Sequence, residues 1–210
     1  KICINEDGLP NYHFANVIAE YLRQITTIIR GEEWLPSLPI HKLIYYAFGW
    51  KMPDTVHLPL ILNPSGSGKL SKRDALKNNY SIFPIKREKL DGLREKGWLA
   101  NVQLASVSQI VSSCNSDEIE LDVNKMSKKF SLSALQKGGA RFDFEKAQSI
   151  NKKELSKIAS SLLICKYPKV FRKWKDSLGD KSLMVVDLVK TRVSLLTDFQ
   201  KELNPFVKDP

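Results

Sequence analysis

Ile25-Thr26-Thr27-Ile28-Ile29, closed by Arg30-Gly31-Glu32-Glu33, is the stretch that carries the fold assignment. Every residue of the first five is β-branched, a side-chain type that packs well on a pleated surface and is restricted in a helix. Such a run, ended by glycine and charge, predicts a buried strand of a parallel sheet. Upstream, Asp7-Gly8-Leu9-Pro10-Asn11 is a turn cluster. Residues 12–15 read as a short strand leaving it, and residues 16–22 as a helix with apolar positions at 17, 18, 21 and 22. Downstream, Ile40, Leu43, Ile44, Ala47 and Phe48 recur at helical spacing, with Pro39 suited to a first turn and Gly49 to a stop. Residues 57–62 read as another short buried strand. Strand, helix, strand, helix, strand is the rhythm of a doubly wound α/β sheet.

The texture changes after Asn63-Pro64-Ser65-Gly66-Ser67-Gly68, which leads into Lys69-Leu70-Ser71-Lys72-Arg73-Asp74. Beyond residue 90 no strand ladder is predicted. Residues 91–98, 103–112, 124–131, 143–150 and 153–165 read as helices. Residues 181–204 read as one long amphipathic segment, with Leu183, Val186, Leu188, Val189, Val193, Leu195 and Leu196 apolar. The expected class is α/β followed by all-α.

The chain's 210 residues suffice for one or two domains. Hydrophobic residues make up 42% and the mean hydropathy is -0.27, which argues against a wholly disordered chain. No apolar run is long enough to span a membrane, and Lys1-Ile2-Cys3-Ile4-Asn5 is too short in apolar length for a signal peptide. Cys3, Cys114 and Cys165 stand far apart without CxxC spacing, which fits a reducing, cytoplasmic setting and no zinc site. His13, His41 and His57 show no ligand spacing, so no metal is assigned. Asn79-Tyr80-Ser81 matches a glycosylation sequon by chance. Net charge is +10, and it is uneven. Residues 1–60 carry five basic and six acidic residues, whereas the remainder is strongly basic, as a polyanion-facing half would be. A lysine-rich solubilising surface has the same signature.

Several residues could carry chemistry. A Walker A reading of the glycine loop fails, because Asn63 stands where its first glycine belongs and Leu70 where its Ser/Thr belongs. Lys69, Lys72 and Arg73 on a flexible loop beside a parallel sheet can nonetheless close onto a polyphosphate. Arg30 falls at the carboxyl end of a strand, where open α/β sheets place their ligands, and its guanidinium can hold a carboxylate bidentately. The plainer alternative pairs it with Glu32 or Glu33. Tyr12 and Asn16, four apart, can face one crevice or merely cap and pack a helix.

Together these residues resemble a known family. Asp7-Gly8-x-Pro10-x-Tyr12-His13-Phe14-Ala15-Asn16-Val17, Ile28-Ile29-Arg30-Gly31-Glu32-Glu33-Trp34-Leu35-Pro36-Ser37, His57-Leu58-Pro59-Leu60-Ile61-Leu62 and Lys69-Leu70-Ser71-Lys72-Arg73 look like a bacterial-type glutamyl-tRNA synthetase. The last of these is similar to the class I KMSKS loop. The likeness continues through Asp91-Gly92-x-Arg94-Glu95-Lys96-Gly97 and Gly138-Gly139-Ala140-Arg141-Phe142-Asp143, and reaches Arg192-Val193-x-x-Leu196-x-Asp198-Phe199.

The resemblance implies the second half of a Rossmann-like catalytic domain over residues 1–65. A helical stem-contact domain over 66–152 and the start of a helical anticodon-binding domain over 153–210 would follow. It implies a glutamate pocket of Tyr12, Asn16, Arg30, Gly31 and Trp34. ATP would meet Glu33, Leu60, Ile61, Lys69, Leu70, Ser71, Lys72 and Arg73, with Lys69, Lys72 and Arg73 catalytic. Arg94 and Lys96 would contact tRNA. The implied substrates are L-glutamate, ATP with Mg2+ and tRNA(Glu), and the implied enzyme is cytoplasmic, monomeric and without membrane attachment. The chain departs from the family in having Ala19-Glu20 for an acidic pair and Gln24-Ile25-Thr26-Thr27 for Gly-Ile-Thr-His. Residues 103–114 are more polar than the family's helix there. The HIGH-type motif has no counterpart in these residues, so the chain is expected to be a piece that does not run the reaction alone. A non-catalytic, synthetase-derived RNA-binding or scaffold module is the alternative.

Overall fold

The computed structural model describes residues 3–64, 68–77, 81, 83–88, 90–112 and 119–207. Three features read from the sequence lie partly outside them: the tip of the glycine loop at 65–67, Asn79-Tyr80 of the sequon, and Cys114. Helix α1 spans Tyr12–Leu22, so residues 12–15 are helical rather than the expected strand. Asn11 in extended backbone is its N-cap, and the Asn11 side chain accepts the Phe14 N–H. The helix ends in a Schellman motif. The Gln24 N–H bonds Tyr21 O at 3.0 Å and the Ile25 N–H bonds Glu20 O at 3.0 Å, with Gln24 at a left-handed φ of 54°.

That cap consumes the start of the β-branched run, so strand β1 covers Thr27–Gly31 and not 25–29. It pairs in parallel with β2, Asp54–Leu58, in a register that sets Arg30 beside His57. A 3-10 turn, Glu32–Ser37, and helix α2, Leu38–Ala47, form the crossover. The strand is not buried on both faces. Among the described residues this sheet has two strands, and Ile29 is 57% exposed. Residues 57–62 do not form one strand either. Pro59, lacking an N–H, falls between β2 and a two-residue strand β3, Ile61–Leu62. β3 pairs in parallel with β4, Ala140–Arg141, so one short strand does occur beyond residue 90. Two residues are too few to show an alternation in sequence.

The rest is helical: α3 (Lys72–Lys77), α4 (Ala100–Val111), α5 (Val123–Lys129), α6 (Phe144–Lys157), α7 (Ser160–Lys166), α8 (Pro168–Leu178), α9 (Ser182–Val189) and α10 (Phe199–Leu203). Residues 91–98 make a turn rather than a helix, closed by Lys96 N–H to Gly92 O and stopped at Gly97, where φ is 92°. The expected helix over 153–165 is two, separated by extended backbone at Ile158 and Ala159. The long segment over 181–204 also breaks. Asp198 accepts the Ser194 and Leu195 N–H groups at 3.0 and 2.8 Å, and Leu195 is extended.

Leu99, Val102, Leu155, Leu163, Phe171, Val186, Phe199 and Leu203 are buried in one core that joins α4, α6 and the helices after them. Each such side chain contributes about 1.5–3 kcal/mol on burial. Within this core Asn151 is fully buried and satisfied at both ends, accepting the Leu99 N–H at 2.8 Å and donating to Ser194 O at 2.6 Å. Gly97 meets the same corner. Leu196 N–H bonds Gly97 O at 2.9 Å, and a Cβ at residue 97 would come within 2.6 Å of Leu196 N. A second, smaller core holds Val17, Ile44 and Tyr45 between α1 and α2. No helix among the described residues is long and apolar enough to cross a membrane.

Candidate functional site

Arg30 stands next to the end of β1, and two imidazoles hold it. Its Nε donates to His57 Nε2 and its Nη1 to His41 Nδ1, both at 3.4 Å, while Nη2 is buried without a partner. The two nearby carboxylates are engaged elsewhere. Glu32 accepts the Leu60 N–H at 3.3 Å, and Glu33 pairs with Lys69 at 2.6 Å. His41 is 1% exposed, and burial, then Arg30, then His13 push its pKa down to about 4. Burial and then Arg30 lower His57 as well.

A continuous row of rings extends from this point. His41 Nε2 lies 3.1 Å from His13 Nδ1, Tyr12 packs edge-on to His13, and Tyr12 and Trp34 lie 5.1 Å apart between ring centroids. Tyr12, Trp34 and Arg30 are thus brought together through His13 and His41. Asn16, one turn along α1 from Tyr12, donates to Glu20 at 2.6 Å, and Glu20 also accepts the Tyr45 hydroxyl at 3.0 Å. Burial, then the Glu20 hydrogen bond, raise the Tyr45 phenol. Gly31 ends β1 between Arg30 and the 3-10 turn that carries Glu33 and Trp34.

Lys69, Leu70 and the residues after them approach from β3. The chain doubles back so that Leu62 faces Lys69 in an antiparallel bridge, and the Leu70 N–H bonds Ile61 O at 2.8 Å. This return sets Lys69 against Glu33 and holds the Glu33 carboxyl below its ordinary range, chiefly through the Lys69 hydrogen bond. So exposed a pair contributes about 0–1 kcal/mol and is readily exchanged. Ser71 precedes α3, whose first two residues are Lys72 and Arg73. Lys72 Nζ lies 5.7 Å from the centre of the Phe83 ring.

Ile61 and Leu70 also line an apolar cavity of about 970 Å³ with Trp98, Leu104, Phe142 and Phe144; Arg30 is not among its walls. Arg94, exposed, and Lys96, half-buried, sit on the 91–98 turn. The Lys96 carbonyl accepts the Thr197 hydroxyl at 3.0 Å. Among the described residues no group of three or more His, Cys, Asp or Glu could hold a metal.

Residues 1–149 match the family model for tRNA synthetases class I (E and Q), catalytic domain. The chain belongs to this family. The glutamate–tRNA ligases of Amoebophilus asiaticus and Christiangramia forsetii are each 36% identical to it, over 100% and 95% of its length and over 43% and 41% of theirs. A crystal structure of a glutamate tRNA ligase from Elizabethkingia meningosepticum, in complex with its amino acid, superposes with a TM-score of 0.88 at 35% identity. That match covers all of this chain and 43% of the other. The chain thus spans under half the length of these relatives. It has a class I synthetase catalytic-domain fold with substantial helical content.

Sequence reasoning left three groups out of the candidate site: the histidines around Arg30, the Glu20 carboxylate behind Asn16, and the Phe83 ring beside Lys72. His13 and His57 stand inside the stretches that carry the resemblance, but spacings of 28 and 16 residues from His41 give no sign that the three meet. Glu20 had one, since it lies four residues after Asn16, on the same helix face.

Proposed function

We propose that these residues serve a glutamate–tRNA ligase in the complete protein. One observation carries the reading: Arg30 at the end of a parallel strand offers a buried, unpartnered Nη2 on a guanidinium that no carboxylate among the described residues neutralises. That is a seat for a substrate carboxylate. Tyr12, Asn16, Gly31 and Trp34 would complete the glutamate pocket. Glu33 would meet the ribose of ATP, and Leu60, Ile61, Leu70 and Ser71 would bound the nucleotide. Lys69, Lys72 and Arg73 would take its phosphates, with Mg2+ accompanying ATP as substrate.

In the proposed first step a glutamate carboxylate oxygen attacks the α-phosphorus, and the bond to the bridging oxygen breaks. Glutamyl-adenylate forms and pyrophosphate leaves. A terminal hydroxyl of tRNA(Glu) then takes the glutamyl group, loses its proton and releases AMP. These side chains position reactants and stabilise charge as it develops. Lys69 would first exchange Glu33 for phosphate. The domain reading carries over: residues 1–65 as the second half of the catalytic domain, 66–152 as the stem-contact part with Arg94 and Lys96 toward tRNA, and 153–210 as the opening of the anticodon-binding part. The pairing of β3 with β4 ties the first two together.

Glutamate-driven ATP–pyrophosphate exchange in the full-length protein tests the proposal. Lys72→Ala is expected to slow exchange ~100-fold while glutamate affinity stays within about twofold. Absence of glutamate-driven exchange in the wild type would overturn it.

A further inference from the structure

Three elements that are distant in sequence each contribute one histidine: His41 from α2 and His57 from β2 reach Arg30, and His13 from α1 reaches His41. Their protonation follows from the donors they face. A guanidinium only donates, so His41 Nδ1 and His57 Nε2 must both be unprotonated acceptors. His41 then carries its proton on Nε2 and gives that hydrogen bond to His13 Nδ1, 3.1 Å away. Two neutral rings of opposite tautomer thus grip one cation. Burial favours the same state, since it depresses both His41 and His57.

A structural arginine has a simpler solution in a carboxylate partner. Glu32 and Glu33 adjoin it in sequence, yet both turn to other partners. A purely structural arginine also would not leave a buried Nη2 unpaired, because an orphaned buried donor costs stability. Neutral acceptors do something that a carboxylate does not. They fix the rotation of the guanidinium and leave its charge unspent.

We infer that His57 and His41 are positioning residues for Arg30, holding its Nε and Nη1 through neutral ring nitrogens so that the unneutralised guanidinium presents Nη2 to the anionic end of an amino-acid substrate. The inference rests on the ligase reading above and adds to it the means by which the pocket favours a carboxylate over an uncharged amide.

His57 is the better handle, because it is only half-buried whereas His41 is fully enclosed. Glutamate and ATP affinities of the full-length protein would be measured by calorimetry for wild type, His57→Gln, His57→Phe and His57→Glu. Gln keeps a neutral acceptor and is expected to hold glutamate within about threefold of wild type. Phe removes the acceptor and should weaken glutamate roughly tenfold or more. Glu anchors the arginine better but neutralises it, and should also weaken glutamate at least about tenfold. ATP affinity should stay within about twofold in all three, which separates lost positioning from lost folding. If His57→Phe loses both ligands, His57→Glu against His57→Gln still decides, because a merely structural role is satisfied by either. Wild-type glutamate affinity in His57→Glu overturns the inference while leaving the ligase reading standing. A wild type that binds ATP but no glutamate overturns both.

Discussion

Gln24 occupies a backbone position that its side chain does not suit, and replacing it by glycine should stabilise the protein. It is the residue after the C-cap of α1, at φ 54°, with both hydrogen bonds of a Schellman motif in place. Left-handed backbone costs a residue with a Cβ roughly 1–2 kcal/mol. Glycine escapes that cost but loses about 0.5–1 kcal/mol through the freedom of its unfolded state. Gln24 is exposed, so burial of its side chain does not offset the difference. Gln24→Gly should therefore gain about 0.5–1 kcal/mol. For a chain of 210 residues that corresponds to a rise in Tm of about 1–4 °C. Gln24→Asn should fall between the two, Gln24→Ala near wild type, and Gln24→Val below it, since β-branching tolerates this region least. Thermal unfolding followed by circular dichroism or calorimetry gives the ranking. A glycine variant that melts at or below the wild-type temperature would refute the reasoning, because it would mean that residue 24 is not held left-handed or that its side chain stabilises the cap.

Arg30→Lys keeps a charge but not two anchored nitrogens, so the KM for glutamate should rise about tenfold or more with ATP affinity nearly unchanged, as steady-state exchange kinetics would show. His41 makes stability pH-dependent with a definite sign. The unfolded ring, with its pKa near 6.5, takes up a proton that the folded ring refuses until about pH 4. Its contribution is therefore complete above pH 6.5 and is lost as pH falls toward 4, to the extent of about 3 kcal/mol, and His41→Gln should flatten that slope in denaturant titrations. Arg94 is exposed on its turn, so Arg94→Glu should weaken many tRNAs alike and lower the salt slope of binding by about 1, measured by anisotropy over a salt series.

Much of this was legible from residue order because it rests on local chemistry. Pro39 and Gly49 bracket α2 as their backbone preferences require, and β1 begins inside the β-branched run and pairs in parallel, although Ile29 stays exposed. Where the reading failed, a tertiary or capping interaction outweighed the local pattern. Asn11 turns an expected strand into the first turn of α1, and the segment over 181–204 stops at Val189 and restarts at a turn that Asp198 caps by accepting two backbone N–H groups. Helix α8 had a signal in Val170, Phe171, Trp174 and Leu178, but the basic residues between them hid it. The site divides in the same way. Arg30, Glu33 and the loop lysines stand in short motifs, whereas the histidines acquire meaning only through the β1–β2 register that sets His57 beside Arg30.

The contact between Gly97 and Leu196 has a mechanical consequence. Main chain lies directly on main chain there, with no side chain between them to flex. The helices after residue 195 and the turn at 92–98 must then travel as one stiff unit or part altogether. The turn is itself bonded to the segment before it, through the Leu93 N–H to Phe83 O at 2.8 Å and the Arg94 N–H to Pro84 O at 3.0 Å. Phe83 is the residue whose ring rests near the Lys72 ammonium. A torque applied to the last helices is therefore delivered, without crossing a compliant layer, to the backbone that carries the resting place of the Lys72 ammonium.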